Sequence, residues 1–460
     1  MSFDPVLADI RFGCGLSPTV SSPQSVAQML ENLHGPDLIA AQYPIETFPE
    51  FRERVIERTA LRRELKANRG SAKSDDIRQA LARNNRAGRK GAVSWLAAHL
   101  QRRTRTTDGF RERLEFFWGD HFTATGKAGV LQWAGSPYTE SAVRPFVAGK
   151  FEDLLISAAT HPLMVHYLDQ AVSAGPNSRR ATRKPGKFGL NENLAREILE
   201  LHTLGVDGPY TQDDVRQLAE LLAGLTHSVK EGRKFRKDFA EPGAETVLGV
   251  RYGSQNRGLA DIEAALRDLA RHPATARHLS TKLAVHFVSD TPDPALIKAM
   301  TAAYRDTQGD LTAVYRAMLT HPSAWPPAPG NIKLPFDYIT SACRALDVMP
   351  RALRMKEKTM RRRIYTPMQL MGHQWQRPDG PDGLEELDAA WITPQGMAAR
   401  LQWAIAIPQL LQPKLPDPRE FLTTAVGPMP PERVAFAAEA AESRADGIGL
   451  ILASPAFQRR

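Results

Sequence analysis

Only two cysteines occur in 460 residues, Cys14 and Cys343. They are too few for a disulfide framework and for any zinc site needing more than two thiolates. No apolar run approaches the roughly 18 residues that a membrane span requires, so the chain reads as soluble and without a membrane span. Its opening segment, Met1-Ser2-Phe3-Asp4-Pro5, lacks the basic region and apolar stretch of a secretory signal. The expectation is a cytoplasmic protein with both thiols free. Also absent are a phosphate-binding Gly-x-x-x-x-Gly-Lys loop, a Gly-x-Ser-x-Gly elbow, a His-Glu-x-x-His pair and paired Cys-x-x-Cys units. No metal site is expected, and the cofactor, if any, stays unknown.

Charge is present in excess. The net charge of +9 is concentrated between residues 52 and 113, which hold 18 Lys or Arg against 7 Asp or Glu. Such a block attracts polyanions in a salt-sensitive way, which makes weak polyanion binding one reading. The other is a solvated helical face, because Arg52, Arg54, Arg58, Arg62, Arg63 and Lys66 alternate with Glu53, Glu57 and Glu64 at ion-pairing distances along a helix. Trp95 and Phe110 alone supply aromatics between Phe51 and Phe116, too few for base stacking.

Apolar residues recur at spacings of three and four in Phe51–Lys66, Ile77–Arg86, Val93–Gln101, Phe110–Trp118, Phe151–Ala158, Val165–Val172, Asn193–Leu204 and Asp213–Leu222. The pattern continues in Ala260–Ala270, Ala274–Val288, Pro294–Tyr304, Leu311–Leu319, Pro335–Leu346, Pro394–Ala406 and Pro431–Ala440. The predicted fold is all-α: a main helical body over 1–322, a small β-hairpin-like excursion at 227–252 that leaves it, and a C-terminal helical part over 332–460. Ser173–Lys187 reads as a loop, Ser323–Asn331 as a linker, and the basic run Arg351–Arg363 as an exposed connection. Three His-Pro corners, at His161, His272 and His321, read as helix junctions where a ring nitrogen bonds a terminal carbonyl. Nothing in their spacing forces them together as metal ligands.

Several strings carry a resemblance. They include Arg11-Phe12-Gly13, Phe117-Trp118-Gly119-Asp120-His121-Phe122, Arg144-Pro145, Gly149-Lys150-Phe151 and Gly175-Pro176-Asn177-Ser178. The most specific runs from Leu190 through Asn193, Arg196, Glu197, Glu200 and His202 to Val206, then into Tyr210-Thr211-Gln212. Over nearly its whole length the chain resembles the bacterial family known as domain of unknown function number 1800. That resemblance implies a mainly helical fold and no established activity. Two stretches depart from the family pattern. Ala240–Glu245 lacks a histidine and a lysine that relatives often carry. Gly372-His373-Gln374 and Gly383-Leu384 differ from the usual Gly-Gln and Gly-Trp, which argues against a site there.

A helical wheel through Asn193–Leu204 places Glu197 inside the apolar arc formed by Leu194, Ile198 and Leu201, with Asn193 and Glu200 beside it. A carboxylate so placed must be paired, hydrogen-bonded or protonated. The preferred reading is a binding or assembly protein in which the strip Asn193/Glu197/Glu200 is structural, with Glu197 or Glu200 accepting from an arginine such as Arg144. Arg196 points to the polar edge of the same helix and is a further binding candidate. The alternative is a hydrolase with Glu197 and Glu200 as a protonated acid and an ionised base, the division used on glycosidic bonds. His121 is its candidate third member, oriented by a carboxylate such as Asp120. His202 falls on the far side of the wheel. Thr211-x-x-Asp214 is a capping box.

Overall fold

The computed structural model describes residues 3–228, 232–254, 256–327 and 330–460. The fold is all-α apart from two small antiparallel hairpins. No helix among the described residues is long and apolar enough to cross a membrane. Cys14 and Cys343 are buried free thiols.

Most helices fall where the periodicity of three and four predicts, but Ile77–Arg86 and Val93–Gln101 are parts of one 33-residue helix, Lys73–Arg105. Its glycines act as contact points and not as breaks. A Cβ on Gly88 would stand 2.8 Å from Val130 Cγ2 and 3.0 Å from Trp133 Cδ1, so only glycine lets that segment pack there. The helix serves two cores. Trp95 and Ala98 join the large cluster that runs from Ala8 to Trp325, while Leu96, Ala97 and Leu100 join the cluster built from Phe336 to Phe457.

The β excursion is present as two hairpins. Leu225–Ser228 pairs with Gly232–Phe235, and Glu245–Val247 with Val250–Tyr252. The second turns on Leu248 and Gly249, both at positive φ (51° and 78°), the tight two-residue geometry that favours glycine. The hairpins do not leave the body, since Leu225, Val247 and Tyr252 are buried in the large core. Residues 229–231 of the expected excursion lie outside the described residues.

The predicted loop at Ser173–Lys187 contains a short helix, Arg179–Arg183. The basic run Arg351–Arg363 folds as Glu357–Met360 and the start of a π-helical turn, Arg361–Tyr365, because Met360 and Ile364 have a core to enter. In the Ser323–Asn331 linker, Pro322–Ala324 forms a 3-10 turn, and residues 328–329 lie outside the described residues. The His-Pro corners are N-caps: Nδ1 of His161, His272 and His321 accepts from the backbone N–H of Leu163, Ala274 and Ser323 at 3.1, 3.1 and 3.2 Å. The ring therefore satisfies a donor of the following helix and not a carbonyl of the preceding one. The Thr211/Asp214 capping box forms in both directions.

Candidate functional site

The strip around Glu197 is built differently from the wheel. The α-helix Asn193–Glu197 gives way to a π-helical turn, Ile198–Thr203, in which Leu204 N–H donates to Leu199 C=O at 2.9 Å. The wider turn breaks the 100° period, and such turns recur at functional sites. Asn193 is exposed at the helix start and Glu197 is half-buried. Arg196 does not turn away: it bonds Glu200 at 3.0 Å, Gln212 at 3.0 Å and Glu192 at 3.5 Å. Arg144 is elsewhere, gripping Asp37 at 2.7 and 3.0 Å and Glu112 at 2.5 Å, so it anchors neither glutamate. Burial first, then the Glu200 and Asp382 carboxylates, push Glu197 up to about 7. It is a carboxyl pushed toward the protonated form, and among the described residues no arginine bonds it.

His121 is not placed to work with it. The ring packs among Trp118, Phe122 and His202, and its Nε2 lies 3.3 Å from the His202 carbonyl. Burial, with the Lys282 ammonium nearby, holds it well below the ordinary histidine range, so it is neutral. Burial likewise holds His202 near 3, and among the described residues neither of its ring nitrogens has a hydrogen-bond partner.

A cleft enclosing ≈ 60 Å³ lies between the Gly109–His121 helix, the Gly135–Ala142 helix and the segment 373–384. The cleft is open to solvent and encloses little space of its own, so it would receive the edge or a protruding group of a ligand and not enclose a whole one. Glu115, Phe116, Gly119 and Asp120 supply one wall, and His373, Trp375, Gln376 and Leu384 the other. The far segment is seated by close approaches. A Cβ on Gly135 would stand 2.6 Å from Gln376 Oε1, and Gln376 itself holds φ at 52° while accepting from Ser136 Oγ at 3.1 Å. A left-handed backbone at a non-glycine residue costs energy and concentrates where ligands bind. Gly383, at φ 84°, could not carry a Cβ, which would meet Asp120 Oδ2 at 2.7 Å. That approach lets Leu384 N–H donate to both Asp120 oxygens at 3.1 Å.

Both acids facing the cleft are pushed toward the protonated form. Burial, then Glu386, raises Asp120 to about 8, against the opposing Leu384 hydrogen bond and Lys282. Burial, joined by Glu112 and Glu140, raises Glu115 to about 7 although Arg144 opposes it. Asp382 acts on both Asp120 and Glu197, and Tyr167, which bonds the cleft residue Thr125, is raised by burial and by Glu197. The strip therefore stands beside the cleft without lining it. Among the described residues no group of His, Cys, Asp and Glu is arranged to hold a metal ion.

Sequence reasoning missed Glu115, Phe116, His373, Trp375 and Gln376, and placed Asp120 only behind His121. It set aside Gly372-His373-Gln374 and Gly383-Leu384, the two stretches that close the cleft. The other departure, Ala240–Glu245, is structural: Glu241 accepts from Asn177 N–H at 2.9 Å and Nδ2 at 2.6 Å, and Glu245 pairs with Arg257 at 2.6 Å.

A family model described as a protein of unknown function (DUF1800) matches residues 11–459. No curated protein and no solved structure matches the chain.

Proposed function

Since the chain belongs to the family of proteins of unknown function DUF1800, which supplies no activity, we propose a function from the cleft: binding of an uncharged, hydroxyl- or amide-bearing small molecule, with saccharides as the first class to test. This keeps the binding role expected from the sequence and moves its centre from the Asn193/Glu197/Glu200 strip to Glu115 and Asp120. The observation that carries it is the pair of carboxyls, Glu115 and Asp120, that line the cleft together with Phe116 and Trp375, both pushed toward the protonated form by burial. A protonated carboxyl both donates and accepts, as a hydroxyl or amide does, and adds no charge that an ionic ligand would have to answer. Phe116 and Trp375, nearly parallel at 24° with centroids 6.5 Å apart, supply the flat apolar surface.

A second reading, hydrolysis, is favoured by one specific feature: Glu197, raised to about 7, beside Glu200 held by Arg196. That is the division of labour an acid–base pair needs. The test is calorimetric titration with mono- and oligosaccharides and simple amides, using wild type, Trp375→Ala and Glu115→Leu. Saturable binding weakened about tenfold or more by each substitution is expected, as for loss of one stacking or hydrogen-bonding anchor. Absence of saturable binding to any of these ligands would overturn the reading. Turnover of a bound glycoside that disappears in Glu197→Gln would install the hydrolase.

A further inference from the structure

A second cavity lies where the N-terminal segment meets the Pro335–Ala345 helix. Arg103, Arg113 and Lys333 line it, and Asp337 is the single carboxylate among its lining residues. All four are buried, at 1–5% exposure. The Arg460 guanidinium also bonds Asp337, from a buried position. Among the residues lining the cavity one carboxylate thus faces two guanidiniums and an ammonium, with the Arg460 guanidinium beside it and Glu112 and Glu386 as further carboxylates acting on this group.

Two of these cations are incompletely satisfied. Among the described residues Arg113 Nε makes no hydrogen bond, and its ion pair with Asp337 is long, at 3.7 Å. Among the described residues no hydrogen bond is made by the Lys333 ammonium, which rests 3.8 Å from the centroid of the Phe457 ring. Burial pushes Lys333 down to about 7 and Arg113 to about 9. Burying cations without counter-charge is costly, and the cost is removed when an anion enters. The free space clears room for about one water-sized particle, so a chloride, roughly a few tenths of an ångström larger in radius, enters with a small outward shift of the lining side chains.

We propose that this cavity binds a single small anion of halide size between Lys333 and Arg113, beside Ser341. The site is separate from the cleft and does not depend on what the cleft binds. An anion there neutralises the excess positive charge where the N-terminal segment, the Lys73–Arg105 helix and the Pro335–Ala345 helix meet, so it ties those three elements together.

The test titrates chloride against gluconate at constant ionic strength, since gluconate is too large for the cavity, and follows thermal melting. Wild type should melt a few degrees higher with a saturable dependence on chloride, and Lys333→Met should lose that dependence. A flat wild-type titration, or an unchanged one in Lys333→Met, would overturn the proposal. Should Lys333→Met fail to fold, crystals of wild type grown in bromide decide alone: an anomalous peak between Lys333 and Arg113 supports the site, and a water in that place overturns it.

Discussion

At the scale of single residues, protonation is what the cleft contributes to stability. Asp120 is raised to about 8 in the folded chain from an ordinary value of 3.8. A carboxyl raised in this way favours the folded state fully below pH 4, and the benefit is lost as pH climbs to about 8, because the unfolded chain releases the proton first. Asp120→Asn removes the titration and keeps an acceptor for the Leu384 N–H. The variant should match wild type near pH 4 and exceed it near pH 8.5 by about 2 kcal/mol or more. Denaturant melts at the two pH values check this, and parallel profiles would refute it. Glu197 follows the same sign from 4.5 to about 7. With Arg144 committed to Asp37 and Glu112, Glu197→Gln leaves no buried cation stranded. It should be as stable as wild type at pH 5 and up to about 1–2 kcal/mol more stable at pH 8, allowing for solvent screening at a half-buried site. A loss of stability on this substitution would restore the anchor expected from the wheel.

Between elements, one buried ionic fastening is made by the arginine that the wheel had offered to Glu197 or Glu200. Arg144 joins the Arg144–Phe146 turn to Asp37, which caps Leu38–Gln42, and to Glu112 in the Gly109–His121 helix. Glu112 is 1% exposed. Arg144→Met would strand that carboxylate and should cost about 3–5 kcal/mol, with a smaller loss in Glu112→Gln; thermal melts within 1 °C of wild type for Arg144→Met would refute the role. The elements themselves were legible, because a periodicity of three and four is local: Asp213–Leu222 and Pro294–Tyr304 match their helices within two residues at each end. The wheel failed where the backbone changed period, at Ile198–Thr203, since no residue type announces a π-helical turn. The join of Ile77–Arg86 to Val93–Gln101 in one helix was hidden for a related reason: the partner that Gly88 packs against, Val130, lies about forty residues later in the chain. The cleft was hidden by sequence distance too. Glu115 and Asp120 face a segment about 260 residues later, and nothing local to His373 or Leu384 shows what they will cover.

For the whole molecule, the fate of the basic block decides its one sequence-wide expectation. Arg102, Arg103, Arg105, Arg111 and Arg113 are spent inside, paired with Glu140, Asp337, Asp347 and Asp108. The rest lies on the Phe48–Ala67 helix and the first half of Lys73–Arg105, where Arg62, Arg63, Lys66, Arg69, Arg83 and Arg86 are exposed. Some charge there is answered locally, as in Arg54 with Glu46 and Arg78 with Asp75. The surface left over is basic and without an exposed aromatic among Phe51 and Trp95, which are both buried. Such a surface attracts phosphate by charge alone and reads no base. Binding to duplex and single-stranded DNA should therefore be weak, indifferent to sequence and lost between about 50 and 200 mM salt. Reversing Arg62, Arg63 and Lys66 to Glu should abolish what remains at low salt without shifting the melting temperature by more than about 1–2 °C, since exposed charges contribute little to stability. Filter binding at two salt concentrations measures the first outcome and a thermal melt the second. Tight binding that survives 200 mM salt would mean that these helices carry a base-reading or stacking surface that charge alone does not supply.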